Sequence, residues 1–133
     1  MIERNRGGVL NVGSTAAFQP GPMMAVYYAT KAYVLSFTEA LAEEINGTSL
    51  KITCLAPGPT GTRFAEQASV TDSLLFKGPV MSADDVAAIG FAGWKRGKTL
   101  VIPGVQNRIG AFSVRLAPRW LVPKILKRLH HVR

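Results

Sequence analysis

Cysteine occurs once in the 133 residues, as Cys54 in an apolar stretch. A lone cysteine can form no intrachain disulfide, no thiolate zinc cluster and no secreted disulfide framework, so a reducing cytosol is the expected compartment. Long apolar runs are also missing. The start, Ile2-Glu3-Arg4-Asn5-Arg6-Gly7-Gly8, has no signal-type hydrophobic region, and the longest uncharged stretch is broken by Pro20 and Pro22; neither a signal peptide nor a spanning helix is expected. Acidic side chains are absent from residues 108–133, which hold Arg108, Arg115, Arg119, Lys124, Lys127, Arg128 and Arg133. Those seven carry most of the net charge of +8, which leaves the first 107 residues nearly neutral. A whole-domain nucleic-acid surface is therefore not expected. What remains, 47% hydrophobic and 18% charged, is the composition of one globular domain.

The residues before Gly7 read as a helix end, and Val9 to Val12 as a short buried strand leaving a tight turn at Gly13-Ser14. Gln19-Pro20-Gly21-Pro22 cannot continue regular structure, so a helix is expected to begin near Met23 or Met24. Val34, Phe37, Leu41 and Ile45 recur at helical spacing with Glu39, Glu43 and Glu44 pointing elsewhere, and Asn46-Gly47 supplies the stop. Leu50 to Ala56 is a second apolar strand closed by Pro57-Gly58-Pro59. Strand, long helix and strand predict a right-handed parallel crossover, hence α/β architecture.

Thr60 to Met81 reads as a long loop with one short helix, of the kind that forms a lid or binding segment. Ser82 to Asp85 caps a helix running to about Arg96, Gly97 ends it, and Thr99 to Ile102 forms a third strand before Pro103-Gly104. A sheet that starts at residue 9 has a bare first edge. On the simplest reading this is a small three-stranded domain whose edge the tail covers.

Tyr27-Tyr28-Ala29-Thr30-Lys31 carries the chemistry. Residues four apart on a helix share a face with Cβ atoms about 5–6 Å apart, and of the nearby tyrosines only Tyr27 has a cation at that spacing. A unit charge about 6 Å away favours a phenolate by roughly 3 kcal/mol at an effective dielectric near 20, which moves Tyr27 toward proton transfer near neutral pH. Alone, such a pair is common on solvated helix faces. It gains weight because Ser14 stands thirteen residues earlier at a strand end and Pro57-Gly58-Pro59-Thr60-Gly61-Thr62 follows the next strand.

Asn11-Val12-Gly13-Ser14, then Tyr27-Tyr28-Ala29-Thr30-Lys31, then Leu55-Ala56-Pro57-Gly58-Pro59-Thr60-Gly61-Thr62 resembles the second half of a classical short-chain dehydrogenase/reductase, over residues 1 to about 104. The resemblance implies the C-terminal portion of a doubly wound Rossmann-type parallel sheet without its N-terminal strands, built from residues 1–117. It implies NAD or NADP as cofactor, a small-molecule alcohol or ketone as substrate and a homo-oligomer for the full-length form. Ser14 would then hydrogen-bond the substrate carbonyl, Tyr27 would pass its proton to the developing alkoxide, and Lys31 would hold the nicotinamide ribose. Pro57, Gly58, Thr60 and Thr62 would line the nicotinamide and diphosphate side. Hydride transfer to a carbonyl needs a positioned proton donor and a second hydrogen bond, and no metal.

Similar enzymes open with a strand, a Gly-rich turn and a helix that cradles the pyrophosphate, and nothing like it lies upstream of Gly7. They also use an Asn on the helix before the serine's strand; Asn5 is too near the strand for that and Asn11 lies within it, so both read as structural. The chain is thus expected to be a fragment or to have a misplaced start. The rival expectation is a non-catalytic remnant or interaction module that keeps the fold.

Met23, Met24, Phe18, Phe64 and Phe76 are candidates for an apolar substrate pocket, or ordinary core. His130 and His131 are adjacent, so as helix neighbours their side chains diverge and no metal site is expected. Residues 118–133 read as a basic amphipathic helix: Leu121, Val122, Ile125, Leu126, Leu129 and Val132 lie opposite Lys124, Lys127 and Arg128. That pattern fits peripheral contact with a membrane surface through residues 119–133, or docking on the protein or a second subunit.

Overall fold

The computed structural model describes residues 1–63, 77, 78 and 80–130. Strand β1 (Gly8–Val12), helix α1 (Ala25–Glu44) and strand β2 (Lys51–Leu55) come first. The strand pair β3 (Thr60–Gly61) and β4 (Met81–Ser82), helix α2 (Ala83–Lys95) and strand β5 (Leu100–Val101) follow. Helices α3 (Val105–Ser113) and α4 (Val122–His130) close the chain. β1, β2 and β5 form one parallel sheet in that order, with Gly8 opposite Lys51, Val12 opposite Leu55, and Leu55 opposite Val101. β2 is central, and Cys54 and Leu55 are buried. β1 is an edge, and Val9 and Val12 are exposed on it.

The two prolines keep the chain from becoming helical before Met24, and Met23 takes a left-handed φ of 69° just ahead of α1. The inward face of α1 is not centred where the apolar spacing places it. Tyr28, Leu35 and Thr38 are its buried residues, whereas Phe37 is 45% exposed and stacks on Tyr33 with ring centroids 5.8 Å apart. The cause is polar. The fully buried Thr38 accepts a hydrogen bond from Asn11 Nδ2 at 3.0 Å and donates to Val34 O at 2.6 Å. Because a buried hydroxyl and amide cost free energy unless paired, this link turns Thr38 toward β1 and Phe37 outward.

Helix α2 starts as its sequence requires, with Ser82 Oγ accepting from Asp85 N at 3.1 Å and both acids in the first turn, where the macrodipole favours them. Gly97 at φ 69° ends it. Gly90 lets α2 lie close on the sheet, since a Cβ there would come within 2.5 Å of Leu55 Cδ2. The excursion from Thr60 to Met81 is not a plain loop at its base: Thr60 pairs with Met81 and Gly61 with Ser82 in a short parallel ladder. Residues 64–76 and 79 of that stretch, with Phe64 and Phe76, lie outside the described residues.

Among the described residues three apolar clusters hold these layers. Leu55, Val86 and Val101 join α2 to the sheet. Ala56, Ile102 and Ala111 bring in α3, with Phe18 packed alongside. Ala16, Tyr28, Val122 and Leu126 tie α4 to the start of α1, with Met24, Tyr27 and Leu129 against them. Among the described residues no helix is long and apolar enough to cross a membrane.

Candidate functional site

The C-terminal ends of β1 and β2 are laced together beyond their last ladder pair. Gly13 N donates to Leu55 O at 2.7 Å and Thr15 N to Pro57 O at 2.9 Å. Ser14 sits between them in extended backbone, φ −168° and ψ 159°. Its hydroxyl accepts from Ala16 N at 3.1 Å and donates to Pro57 O at 3.4 Å. The serine thus caps a 3-10 turn, Thr15–Phe18, that the sequence did not announce. Ser14 and Pro57 are in direct contact.

Tyr27 and Lys31 occupy successive turns of α1. Lys31 Nζ donates to Val12 O at 3.0 Å, two residues before Ser14, and stands 5.7 Å from the centroid of the Tyr27 ring. The lysine therefore bridges the phenol and the strand end that carries the serine. Tyr27 is half-buried, whereas Tyr28 is 6% exposed. The two rings meet edge to face with centroids 6.0 Å apart. Burial pushes the Tyr28 phenol up to about 12, with Tyr27 adding to the rise and a hydrogen bond with the Gln19 side chain opposing it. Tyr28 thus belongs to the apolar core, while Tyr27 packs at its margin. The thiol of Cys54 is also pushed up, by burial first and by Glu39 second.

The loop after β2 bends on itself, Thr60 Oγ1 donating to Gly58 O at 2.9 Å. Gly58 has a packing reason of its own: a Cβ there would lie 2.2 Å from Oδ1 of Asn107, whose Nδ2 donates to Pro103 O at 2.8 Å. Asn107 carries one signal in the sequence, its place three residues after Gly104, in the first turn of α3. Thr62 is exposed, and no hydrogen bond among the described residues joins it to the rest of the site.

The remaining candidates scatter. Asn11 is spent on Thr38, and Asn5 Oδ1 accepts from Ser49 N at 2.9 Å. Phe18 packs near Ala56 and meets Phe112 at 6.2 Å, Met24 packs near Tyr28, and Met23 is exposed. His130 ends α4, and His131 lies outside the described residues.

A family model described as short chain dehydrogenase matches residues 1–72, a span that contains Ser14, Tyr27, Lys31 and the Pro57–Thr62 loop. The NADP-dependent 3-hydroxy acid dehydrogenase YdfG of Salmonella typhi is 42% identical over 79 residues, which is 59% of this chain and 29% of that enzyme. A short-chain dehydrogenase from Sphingobium yanoikuyae, solved with NADPH, superposes with a TM-score of 0.71 at 24% identity, over 90% of this chain and 46% of that one. A 7beta-hydroxysteroid dehydrogenase superposes with a TM-score of 0.75 at 21% identity, over 95% and 49%. These structures share the parallel α/β fold, and the matches span about half their length or less.

Proposed function

This chain belongs to the short chain dehydrogenase family, and on that premise we propose that it serves an NAD(P)-dependent oxidoreductase that interconverts an alcohol and a carbonyl, with Tyr27 as general acid/base. The observation that carries this reading is the position of Lys31, bonded to Val12 O at 3.0 Å and 5.7 Å from the Tyr27 ring. One structural element thus gathers a phenol, a cation and the serine's strand end where ligands of parallel sheets bind, beyond the carboxyl ends of the strands.

The residues present fit the nicotinamide end of a dinucleotide. An ammonium has three N–H donors; Lys31 uses one on Val12 O and keeps others for ribose hydroxyls. Pro57, Gly58, Thr60 and Thr62 follow the neighbouring strand, on the side where the nicotinamide and diphosphate would lie. The nicotinamide supplies or accepts the hydride when bound. In carbonyl reduction Tyr27 delivers its hydroxyl proton to the substrate oxygen as that oxygen gains charge, and in the reverse direction it takes the proton back. Ser14 donates to the same oxygen. Its present bond to Pro57 O is long, at 3.4 Å, so redirecting that proton costs little. Lys31 orients both partners. The relative named as NADP-dependent makes NADP(H) the first cofactor to test and a short hydroxy acid the first substrate.

Tyr27→Phe, in a form of the protein that turns over, tests the role. NADPH oxidation should fall about 10²–10⁴-fold with substrate binding little changed, and a variant that keeps most of its turnover overturns it. A second reading, a non-catalytic module that keeps the fold, draws support from Ser14, whose hydroxyl is already engaged with Ala16 N and Pro57 O.

A further inference from the structure

Along α1 lies a crevice of about 760 Å³ between the Ala17–Pro22 loop and the segment from Val114 to Val122. Ala25, Ala29 and Ala32, spaced four and three apart, form its floor; Tyr27 and Lys31 do not line it. Its walls are mostly apolar, Phe18, Val114 and Val122 among them, but Arg115 and Arg119 open onto it. No acidic residue follows Asp85 anywhere in the sequence, and none lies between Glu3 and Glu39. Among the described residues that line it, Arg115 and Arg119 are cationic and none is a carboxylate. Arg115 is held in place: its guanidinium lies 5.6 Å above the Phe112 ring, which packs on Phe18 at 6.2 Å. Tyr28 and its hydrogen-bond partner Gln19 complete the lining.

We propose that this crevice is a binding site for a single-chain amphiphile with a carboxylate head, a free long-chain fatty acid, its tail along Ala25 and Ala29 and its head on Arg115 and Arg119. The volume is that of a site for one small molecule. Small side chains along the floor leave room for methylenes. A guanidinium pairs with a carboxylate in bidentate geometry, and stacking Arg115 on Phe112 limits the rotamer freedom that binding must remove. Tyr28 is a neutral phenol in the physiological range, as any tyrosine is, and burial raises it further, so it adds no negative charge against the ligand. The site needs neither the dinucleotide nor turnover.

Calorimetric titration of the full chain with dodecanoate and with dodecanol, both below their aggregation limits, tests the proposal. Dodecanoate should bind about tenfold more tightly than dodecanol, equivalent to about 1.4 kcal/mol. The double variant Arg115→Ala/Arg119→Ala changes only exposed side chains and should lose that tenfold while its thermal melt stays within a degree or two. Arg115→Lys/Arg119→Lys should recover part of it. Ala29→Leu, which fills the floor, should weaken both ligands. Equal affinity for acid and alcohol, an unchanged double alanine variant, or unchanged binding by Ala29→Leu each overturns the site.

Discussion

The strand-end region and the C-terminal segment are adjacent in space and held by different forces. Around Ser14 the chain is fixed by hydrogen bonds: Gly13, Ser14 and Thr15 each reach the β2 exit, and Lys31 reaches Val12. Around α4 it is fixed by apolar contact, Val122 and Leu126 being buried against Ala16 and Tyr28 while Lys124, Lys127 and Arg128 stay in solvent. Hydrogen-bonded geometry needs particular residues at particular spacings and so leaves a motif. Apolar docking needs only shape and burial, and many sequences satisfy it. The family model matches residues 1–72, which contain the hydrogen-bonded strand ends, and α4 rests on the helix that carries Tyr27.

The sharpest way to break that contrast is to empty the apolar contact. Leu126 is 6% exposed in the cluster that also contains Tyr28, with Tyr27 packed against it. Leu126→Ala removes buried methylenes and leaves a cavity, and should cost about 2–4 kcal/mol in urea unfolding. A loss below about 0.5 kcal/mol would mean that the C-terminal segment is not part of the cooperative unit.

The second comparison concerns the outward side of the same helix. The apolar face that the sequence offers to a membrane is divided in the fold: Val122 and Leu126 are consumed by the core, while Ile125 is 46% and Trp120 64% exposed. Any peripheral membrane contact would then rest on Arg119, Lys124, Lys127 and Arg128, each contributing about 1 kcal/mol near an anionic surface. Co-sedimentation with anionic liposomes should be reversible and fall steeply between 0.1 and 1 M salt, as the screening length drops from about 10 to about 3 Å. Equal sedimentation with neutral liposomes would remove the electrostatic account.

Legibility followed the same division. The three parallel strands, the Tyr27–Lys31 pair and the caps at Ser82 and Gly97 are local patterns, and the fold contains them all. Apolar spacing alone puts the inward face of α1 at Val34 and Phe37 and does not reveal the Asn11–Thr38 bond, because a polar pair across 27 residues has no periodicity. The β3–β4 pairing escaped for a similar reason: two residues on each strand carry no alternation to detect. Asn107 entered the site region only through its packing under Gly58.

A smaller effect compares the two tyrosines by pH. Burial pushes the Tyr28 phenol up to about 12 in the fold from near 10 in an unfolded chain, so the unfolded chain loses its proton first. The stability this gives is fully present below pH 10 and is lost as pH rises toward 12. Melts across that interval should show an extra loss of about 1–2 kcal/mol in the native protein relative to Tyr28→Phe. Parallel curves for the two would show that Tyr28 is not held in the core as a neutral phenol.

The smallest expected change in stability decides between the two readings of Ser14. As a cap, its hydroxyl accepts from Ala16 N at the start of the Thr15–Phe18 turn, and Ser14→Ala should cost about 1 kcal/mol. Both readings share that cost, so a melt alone cannot separate them. They part on turnover. If Ser14 also donates to the substrate oxygen, Ser14→Ala removes a bond that strengthens as charge develops, and kcat should fall about 10²–10³-fold with KM nearly constant. A residue that only caps the turn would leave the turnover of the folded fraction unchanged. Ser14→Thr sharpens the test, because a threonine keeps the hydroxyl and still caps, though less well. It should recover most of the stability under either reading and most of the turnover only where the serine proton reaches the substrate. A Ser14→Ala protein that is destabilised but retains full kcat would assign the serine to the fold alone.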